Sequence, residues 1–293
     1  MTSSNGILLF AYNSTYDYVK IANACAALAK KYTIQTDGKR FWELPVTVVT
    51  DSFGALKINE MKPCYFDNVI VHDTEDTNKR TVRNTHDKST EVIDWRNLTR
   101  ADAFDLSPYD KTLMLDCDYF MFNLNLGELF RTDVEFTCYK DVHDVTGTGL
   151  FRNDARLSEY SVPMLWATVI YFTKSSFSRS VFDMMQLIKE NYLYYSRVYG
   201  FKASPYRNDF ALSIAYHAMC GYGLEDTLPF KMPMLSTTTD LIDIRENGDV
   251  IYQYKKNKEM FTGITCQQDL HIMNKAALTD EILEKIIQHA QII

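Results

Sequence analysis

Two aspartates one residue apart, Asp116 and Asp118, follow a short apolar run and precede a second one. Side chains i and i+2 of a strand project from the same face, so these carboxylates can converge on one point as the strand leaves the core. Carboxylate oxygens suit Mg²⁺ or Mn²⁺, and Mg²⁺ usually keeps positions open for substrate phosphates. The pattern predicts an enzyme that handles a nucleoside diphosphate. Because the chain is rich in aspartate, the prediction depends on the context of the triplet.

The first part of the chain alternates strand and helix patterns. Strand candidates cover residues 7–12, 45–51 and 68–71, and a helix is predicted over about 16–31 from its apolar spacing. This rhythm predicts an α/β fold, with an open, largely parallel sheet and helices on both faces. Ligands of such sheets bind outside the carboxyl ends of the strands. We therefore expect the polar strand endings at 12–13, 50–51 and 116–118 to share one rim.

The second part continues with a strand at 164–172 and helices at 178–195 and 207–219. Asp209 is expected to be an N-cap or first-turn acid of the second helix. A hairpin is predicted over 241–254 around Asn247-Gly248, and an amphipathic helix over 279–293. The polar segment 73–100 predicts a solvated loop, with a lid or acceptor-binding segment as the alternative, and 141–163 predicts a flexible loop near the site.

Composition sets the broad class. A chain of 293 residues with 46% apolar content can bury a large core, and no repeat or low-complexity linker divides it. We predict a single domain over 1–293, with a nucleotide-binding half at 1–120 and an acceptor- and sugar-binding half at 121–293. A net charge of −7 argues against a protein that binds polyanions over its whole surface, although local basic patches stay open.

Cysteine spacing and hydropathy indicate the compartment. Six scattered cysteines without a C-x-x-C pair indicate reduced, mostly buried thiols. No segment has the length of a membrane span, and the polar N-terminus does not have the pattern of a signal peptide. These features predict a soluble cytoplasmic protein with no membrane partner. The C-terminal helix is expected to pack on its own domain, and a partner interface that would make a homo-oligomer is the alternative.

The order of these pieces resembles the GT-A glycosyltransferases, in particular the glycogenin- and galactosyltransferase-like family 8. The stretch 108–118 is similar to the family motif that holds the metal, and 10–18 is similar to its first strand and helix start. Arg100 lies where the family has a basic residue near the donor. The strand at 166–172 resembles the one that contacts the donor sugar, with Ala167 and Thr168 at the contact positions. The segment 208–212 resembles the family's sugar-binding segment, with Asp209 as its sugar-facing acid.

The C-terminal match to the family is looser. His271 lies where the family has a metal-binding histidine, in a motif that places lysine six residues later and ends in Pro-Trp. Here Lys275 follows after four residues, and the glycine and the Pro-Trp of the motif are missing. The resemblance therefore supports His271 as a ligand more strongly than Lys275 as a diphosphate contact.

The resemblance implies transfer of a sugar from a nucleotide-diphosphate sugar, UDP-linked in this family, to a hydroxyl acceptor with retention of anomeric configuration. Asp116, Asp118 and His271 would hold Mn²⁺ (or Mg²⁺), the nitrogen ligand favouring Mn²⁺. Asp209 and Asp118 would be the catalytic residues, and no nucleophile is assigned. The residues implied to contact the nucleotide sugar are Ala11, Tyr12, Asn13, Tyr18, Asp51, Arg100, Asp116, Cys117, Ala167, Thr168, Asn208, Asp209 and Lys275.

Other interpretations stay open. A nucleotidyltransferase that makes nucleotide sugars would carry a glycine-rich basic loop after the first strand, and residues 13–16 are neither glycine-rich nor basic. A non-catalytic module that binds nucleotide sugars or glycans would keep its role without the carboxylates. The acceptor can be a glycan, a protein or a hydroxylated DNA base. Taken alone, each residue also has an ordinary explanation. Tyr12 is one of 19 tyrosines, and His271 fits a surface or core imidazole. Arg100 fits a loop salt bridge and Asp209 a helix cap.

Overall fold

The structure is a computed structural model that describes residues 4–36, 38, 41–74, 78–83, 90–95, 99–149, 155–203, 205–223 and 227–291. The strands are β1 Asn5–Phe10, β2 Gln35–Thr36, β3 Phe41–Trp42, β4 Val46–Thr50, β5 Asn68–Val71, β6 Asn78–Arg83, β7 Thr90–Trp95, β8 Lys111–Leu115, β9 Tyr119–Phe120, β10 Phe136–Tyr139, β11 Val142–Asp144, β12 Trp166–Thr173, β13 Met232–Leu235, β14 Asp240–Ile244, β15 Val250–Lys256, β16 Glu259–Thr265 and β17 Leu270–Ile272. The helices are α1 Tyr18–Tyr32, α2 Ser52–Glu60, α3 Ala103–Leu106, α4 Ser176–Glu190, α5 Tyr192–Tyr199, α6 Asn208–Met219 and α7 Asp280–Gln291, with 3-10 helices at Thr99–Asp102, Gly127–Arg131 and Lys275–Ala277.

The central sheet has six strands in the order β10-β12-β8-β1-β4-β5. β1 pairs in parallel with β8 and β4, and β4 pairs in parallel with β5, whereas β12 runs antiparallel to β8 and β10. Leu9 lies opposite both Leu115 and Val48, so the three parallel strands end at the same edge. Their apolar side chains are almost wholly buried, which makes this sheet the centre of the core. The α/β class with a mainly parallel sheet is confirmed.

A second sheet, in the order β11-β13-β17-β9, positions the later site residues. β9 begins at Tyr119, directly after Asp118, and His271 of β17 lies opposite Tyr119 in an antiparallel pair. This pairing brings two parts of the chain about 150 residues apart into contact, and no local sequence pattern predicts it. The neighbouring sheet β14-β15-β16 contains the predicted hairpin, which turns at Gly248 with a φ of 87°.

Helix α1 shows how the sequence determines local structure. Asp17 caps its first turn by accepting a hydrogen bond from the Lys20 amide. Lys30 and Lys31 lie in its last turn, where their positive charges interact favourably with the negative end of the helix dipole. Its alanine-rich buried face lets the helix approach β1 and β4 closely, and α7 packs against it. The predicted C-terminal helix is therefore confirmed as a helix that packs on its own domain.

Three predictions of local structure were wrong. The segment 73–100 is not all loop, since it contains the β6–β7 hairpin and ends in a 3-10 helix. The single helix predicted over 178–195 divides at Asn191 into α4 and α5, where a residue of low helix propensity interrupts the pattern. The loop predicted over 141–163 begins with β11, and residues 150–154 of it lie outside the described part.

The cysteines are all free thiols, as predicted, but Cys64 and Cys266 are exposed, while Cys25, Cys117 and Cys138 are buried. Among the described residues, no helix combines the length and the apolarity that a membrane crossing requires.

Candidate metal and diphosphate site

Asp116 and Asp118 lie where β8 leaves the sheet, as the sequence predicts. The Asp116 amide donates to the Thr168 carbonyl at 2.7 Å, which ties the turn to the neighbouring strand β12. On the other side, the Cys25 thiol donates to the Tyr119 carbonyl at 3.1 Å. Cys117, between the two aspartates, is buried, and burial raises the pKa of its thiol, so it is not a thiolate nucleophile. These hydrogen bonds thus position the turn that carries both carboxylates.

Asp116, Asp118 and His271 form one cluster. Their ligand atoms all lie within 4.8 Å of one another, and His271 Nε2 is 3.4 Å from an oxygen of Asp118. Asp118 and His271 are buried, and Asp116 is partly buried. The second ring nitrogen of His271, Nδ1, is buried and has no hydrogen-bond partner among the described residues. Two carboxylates and one imidazole fit a divalent ion of the Mn²⁺ or Mg²⁺ kind, with room for ligand oxygens.

Two cationic side chains pair with the carboxylates. Arg100 forms an ion pair with Asp116, and Lys275 forms one with Asp118. Burial alone would raise the pKa of the Asp118 carboxyl, but the charge of Lys275 and the contact with His271 hold it well below its usual range. The Asp118 carboxylate is therefore available as an anionic ligand. The same two cations lie where phosphate oxygens bound to a metal would have to be neutralised.

A short chain of contacts links this cluster to Asp209. Arg100 Nη1 donates to the Ala167 carbonyl at 2.6 Å, and the Ala167 amide donates to Asp209 Oδ1 at 3.0 Å. Arg207 pairs with the other oxygen of Asp209 at 2.8 Å. Burial would raise the pKa of Asp209, but Arg207 and the Ala167 amide keep it below its usual value. Asp209 lies in the first turn of α6, as predicted, while the N-cap is Arg207.

The residues that the sequence predicts to bind the nucleoside follow the ends of β1 and β4. Asn13 and Asp51 line a cleft of about 650 Å³ together with Asp17, Phe53 and Lys57. Asn13 Oδ1 accepts from the Val19 amide at 2.9 Å, and Asp51 Oδ1 accepts from the Gly54 amide at 2.7 Å. Each side chain therefore fixes the start of a helix while it lines the cleft.

Most of the other residues predicted to contact the nucleotide sugar are buried. Ala11, Tyr12, Thr168 and Asn208 are buried, and Tyr18 is partly buried at the start of α1. The Tyr12 hydroxyl lies 3.3 Å from Thr99 Oγ1 and from His72 Nδ1, and burial raises its pKa to about 12. Ion pairs, the hydrogen bonds through Ala167 and the proximity of the three ligand groups join Arg100, Asp116, Asp118, His271, Lys275 and Asp209 in one group.

Sequence analysis gave no role to two residues beside the site. Asp269 accepts hydrogen bonds from the Phe122 amide at 2.7 Å and the Tyr119 hydroxyl at 3.1 Å, and burial raises its pKa to about 7. It anchors the turn after β9, and its place two residues before His271 was the only available signal. Tyr206 is buried beside Arg100 and Asp209, and its hydroxyl has no hydrogen-bond partner among the described residues. One tyrosine among 19 could not be singled out from the sequence.

No protein-family model matches the sequence, and no curated protein matches it. Among solved structures, the chain is similar to the glycosyltransferase GlyE of Streptococcus pneumoniae TIGR4, with 9% identity and a TM-score of 0.40 over 78% of this chain and 46% of GlyE. It is also similar to a galactosyltransferase, LgtC, in complex with donor and acceptor sugar analogs, with 13% identity and a TM-score of 0.41 over 71% of this chain and 69% of LgtC. The chain spans about half the length of GlyE. Likeness at this level carries no argument about activity.

Proposed function

We propose that the protein is a metal-dependent glycosyltransferase of the GT-A type, similar to family 8, that moves a sugar from a nucleotide-diphosphate sugar to a hydroxyl acceptor. The observation that supports this most is the cluster of Asp116, Asp118 and His271, whose ligand atoms lie within 4.8 Å of one another and beside two cations. A structural ion-pair network alone would not need an imidazole with a buried, unpartnered nitrogen, which the described part of the chain shows at His271.

The reaction breaks the bond between the anomeric carbon and a phosphate oxygen, and it leaves negative charge on the diphosphate. A Mn²⁺ or Mg²⁺ ion bound there would stabilise that charge as a Lewis acid. Asp116, Asp118 and His271 would hold the ion. When diphosphate oxygens enter, Arg100 and Lys275 exchange their carboxylate partners for phosphate oxygens, which places two fixed positive charges where charge develops.

The other side chains orient the donor. Asn13 and Asp51 hydrogen-bond the nucleoside in the cleft at the ends of β1 and β4. Asp209, kept ionised by Arg207 and the Ala167 amide, accepts hydrogen bonds from donor sugar hydroxyls. Because Ala167 bonds both Arg100 and Asp209, the diphosphate and sugar sides are held in one fixed geometry. We extend the proposal to a UDP-sugar donor, Mn²⁺, retention of configuration and a cytoplasmic location, in keeping with the family resemblance and the free thiols.

The test is a hydrolysis screen that needs no acceptor. The full-length protein is incubated with a panel of UDP-, GDP- and ADP-sugars, once with Mn²⁺ and once with EDTA, and free nucleotide is measured. The expected result is slow, Mn²⁺-dependent hydrolysis of one donor class, the UDP-sugars. The absence of hydrolysis from every donor, or an equal rate with EDTA, would contradict the proposal. An Asp110→Asn variant is a suitable control, because Asp110 is an exposed aspartate just before the opposite end of β8.

A further inference from the structure

A second cavity, of about 800 Å³, lies beside β10, the edge strand of the central sheet. Its described lining contains no acidic side chain. The cationic and aromatic residues that line it are Lys140, Arg156, Arg197, Tyr160, Tyr199 and Tyr222. Tyr160 is 92% exposed and Tyr222 is 61% exposed, which is unusual for side chains that are largely apolar. We call this site the basic cavity. Lys140, Arg156 and Arg197 give its described lining three positive charges and no carboxylate.

The positive charges of the basic cavity act on His217, a buried residue in its lining. Burial lowers the pKa of His217, and the charges of Lys140 and Arg156 lower it further. The neutral imidazole donates from Nε2 to the Pro163 carbonyl at 3.0 Å. An anion that entered the cavity would meet the positive charges of Lys140, Arg156 and Arg197, although the whole chain carries a net charge of −7.

Helix α6 connects the basic cavity rigidly to the candidate site. Three side chains, each four residues apart on the helix, bind alternate residues of the segment before and within β12. These pairs are Asp209 with Ala167 at 3.0 Å, Ser213 with Leu165 at 2.7 Å and His217 with Pro163 at 3.0 Å. At 1.5 Å of rise per residue, Asp209 and His217 lie about 12 Å apart along the helix. One lining residue of the cavity and the carboxylate proposed to face the donor sugar thus lie on the same helix, bonded to the same segment.

We infer that the basic cavity binds an anionic sugar of the acceptor, one that carries a phosphate or a carboxylate group. This inference deepens the proposed function and rests on it. The apolar C–H face of a sugar ring packs on tyrosine rings, and the anionic group pairs with Lys140 and Arg197. The acceptor would then be anchored by its anionic unit near the His217 end of α6, with its reacting hydroxyl toward the Asp209 end.

Two observations favour a short anionic glycan over a nucleic-acid strand. The cavity of about 800 Å³ has the size of a small-molecule site, for which roughly 300–1,000 Å³ is typical. Nucleic acids gain affinity from many phosphate contacts along the strand. The net charge of −7 repels such a long polyanion, whereas a short ligand meets only the local cations.

The experiment measures acceptor binding directly, without donor or metal. The full-length protein is titrated by calorimetry with lactose, lactose phosphate and sialyllactose. We expect at least one of the two anionic sugars to bind at least tenfold more tightly than lactose. The sugar that binds more tightly shows whether the cavity prefers a phosphate or a carboxylate group. The preference should disappear in the double variant Lys140→Gln, Arg197→Gln and persist in Lys255→Gln, an exposed lysine of β15 outside the cavity. Equal binding of the neutral and anionic sugars, or a preference that survives the double variant, would overturn the inference.

A short deoxythymidine strand is titrated in parallel. If it binds more tightly than every sugar, and its affinity falls steeply with salt, the ligand is a nucleic acid and the inference is wrong. The test separates the inference from the proposed function, because donor hydrolysis is assayed independently. Charge-dependent sugar binding without any metal-dependent hydrolysis would contradict the proposed function alone. Intact hydrolysis with no charge preference would contradict the inference alone.

Discussion

The candidate site and the basic cavity both hold positive side chains, but their charges are arranged in opposite ways. At the candidate site each cation faces a carboxylate, Arg100 with Asp116 and Lys275 with Asp118. In the basic cavity no described lining residue is acidic. Balanced charges can be exchanged when a metal and a diphosphate enter together, whereas unbalanced positive charge attracts an anion by itself. If the proposed function and the further inference hold, we expect the first region to need a metal to bind its ligand and the second to bind its anion without one.

The largest expected effect is the loss of the central carboxylate. Asp118→Asn should lower Mn²⁺-dependent donor hydrolysis by about 100-fold or more, because a Lewis acid contributes several kcal/mol of charge stabilisation and ~1.4 kcal/mol is a factor of ten. Sugar binding in the basic cavity should not change. Rates are measured by release of free nucleotide, with Asp110→Asn as the matched control. Equal losses in both variants would mean that the effect does not come from the metal site.

The connection between the two regions can be broken at Ser213. Its buried hydroxyl accepts from the Leu165 amide at 2.7 Å, so Ser213→Ala leaves a buried N–H without an acceptor and should lower the free energy of unfolding by about 1–3 kcal/mol. Denaturant unfolding checks this. Ser180→Ala is the control: the hydroxyls of Ser180 and Ser213 both donate to the carbonyl four residues earlier, but Ser180 is exposed. A Ser213→Ala variant as stable as Ser180→Ala would show that this hydrogen bond does not hold α6 in place.

Removal of Lys275 should move two properties in opposite directions. Lys275→Met deletes the charge that competes for Asp118, so Mn²⁺ should bind several-fold more tightly to the donor-free protein. Donor hydrolysis should fall by about tenfold or more, because a charge-assisted bond to the diphosphate is lost. Metal titration and hydrolysis assays on the same preparation report both. If metal affinity and hydrolysis fall together, Lys275 supports the site instead of exchanging partners.

The smallest expected effect lies outside both regions, at His289. Burial lowers the pKa of His289 from its ordinary value of 6.5, and its ring accepts from the Tyr32 hydroxyl at 2.8 Å. The folded form therefore binds fewer protons than the unfolded form, and stability is lost as the pH falls below about 6.5. His289→Gln should reduce this loss, with part of it remaining because the pKa of His217 is lowered too. Thermal unfolding from about pH 8 to about pH 5 tests this, and an unchanged pH dependence would contradict it.

The sequence predicted the part of the fold that depends on local pattern. The strands that carry Tyr12, Asp51 and Asp116 have buried apolar runs with polar endings, and their shared edge follows from parallel pairing. The pairing of β17 with β9 comes from long-range packing instead, so only the family resemblance pointed to His271. The basic cavity could not be predicted, because it combines residues from four separate parts of the chain. Lys275 reaches Asp118 despite the altered spacing of its motif, since a 3-10 helix begins at Lys275.

The most direct test of the central claim is a Mn²⁺ titration followed by electron paramagnetic resonance, with and without UDP. We expect one Mn²⁺ bound per chain, a tighter affinity when UDP is present, and loss of both in Asp116→Asn. Binding of Mn²⁺ to Asp116→Asn with the affinity of the unaltered protein, or no effect of UDP on that affinity, would show that Asp116, Asp118 and His271 are not a metal–diphosphate site.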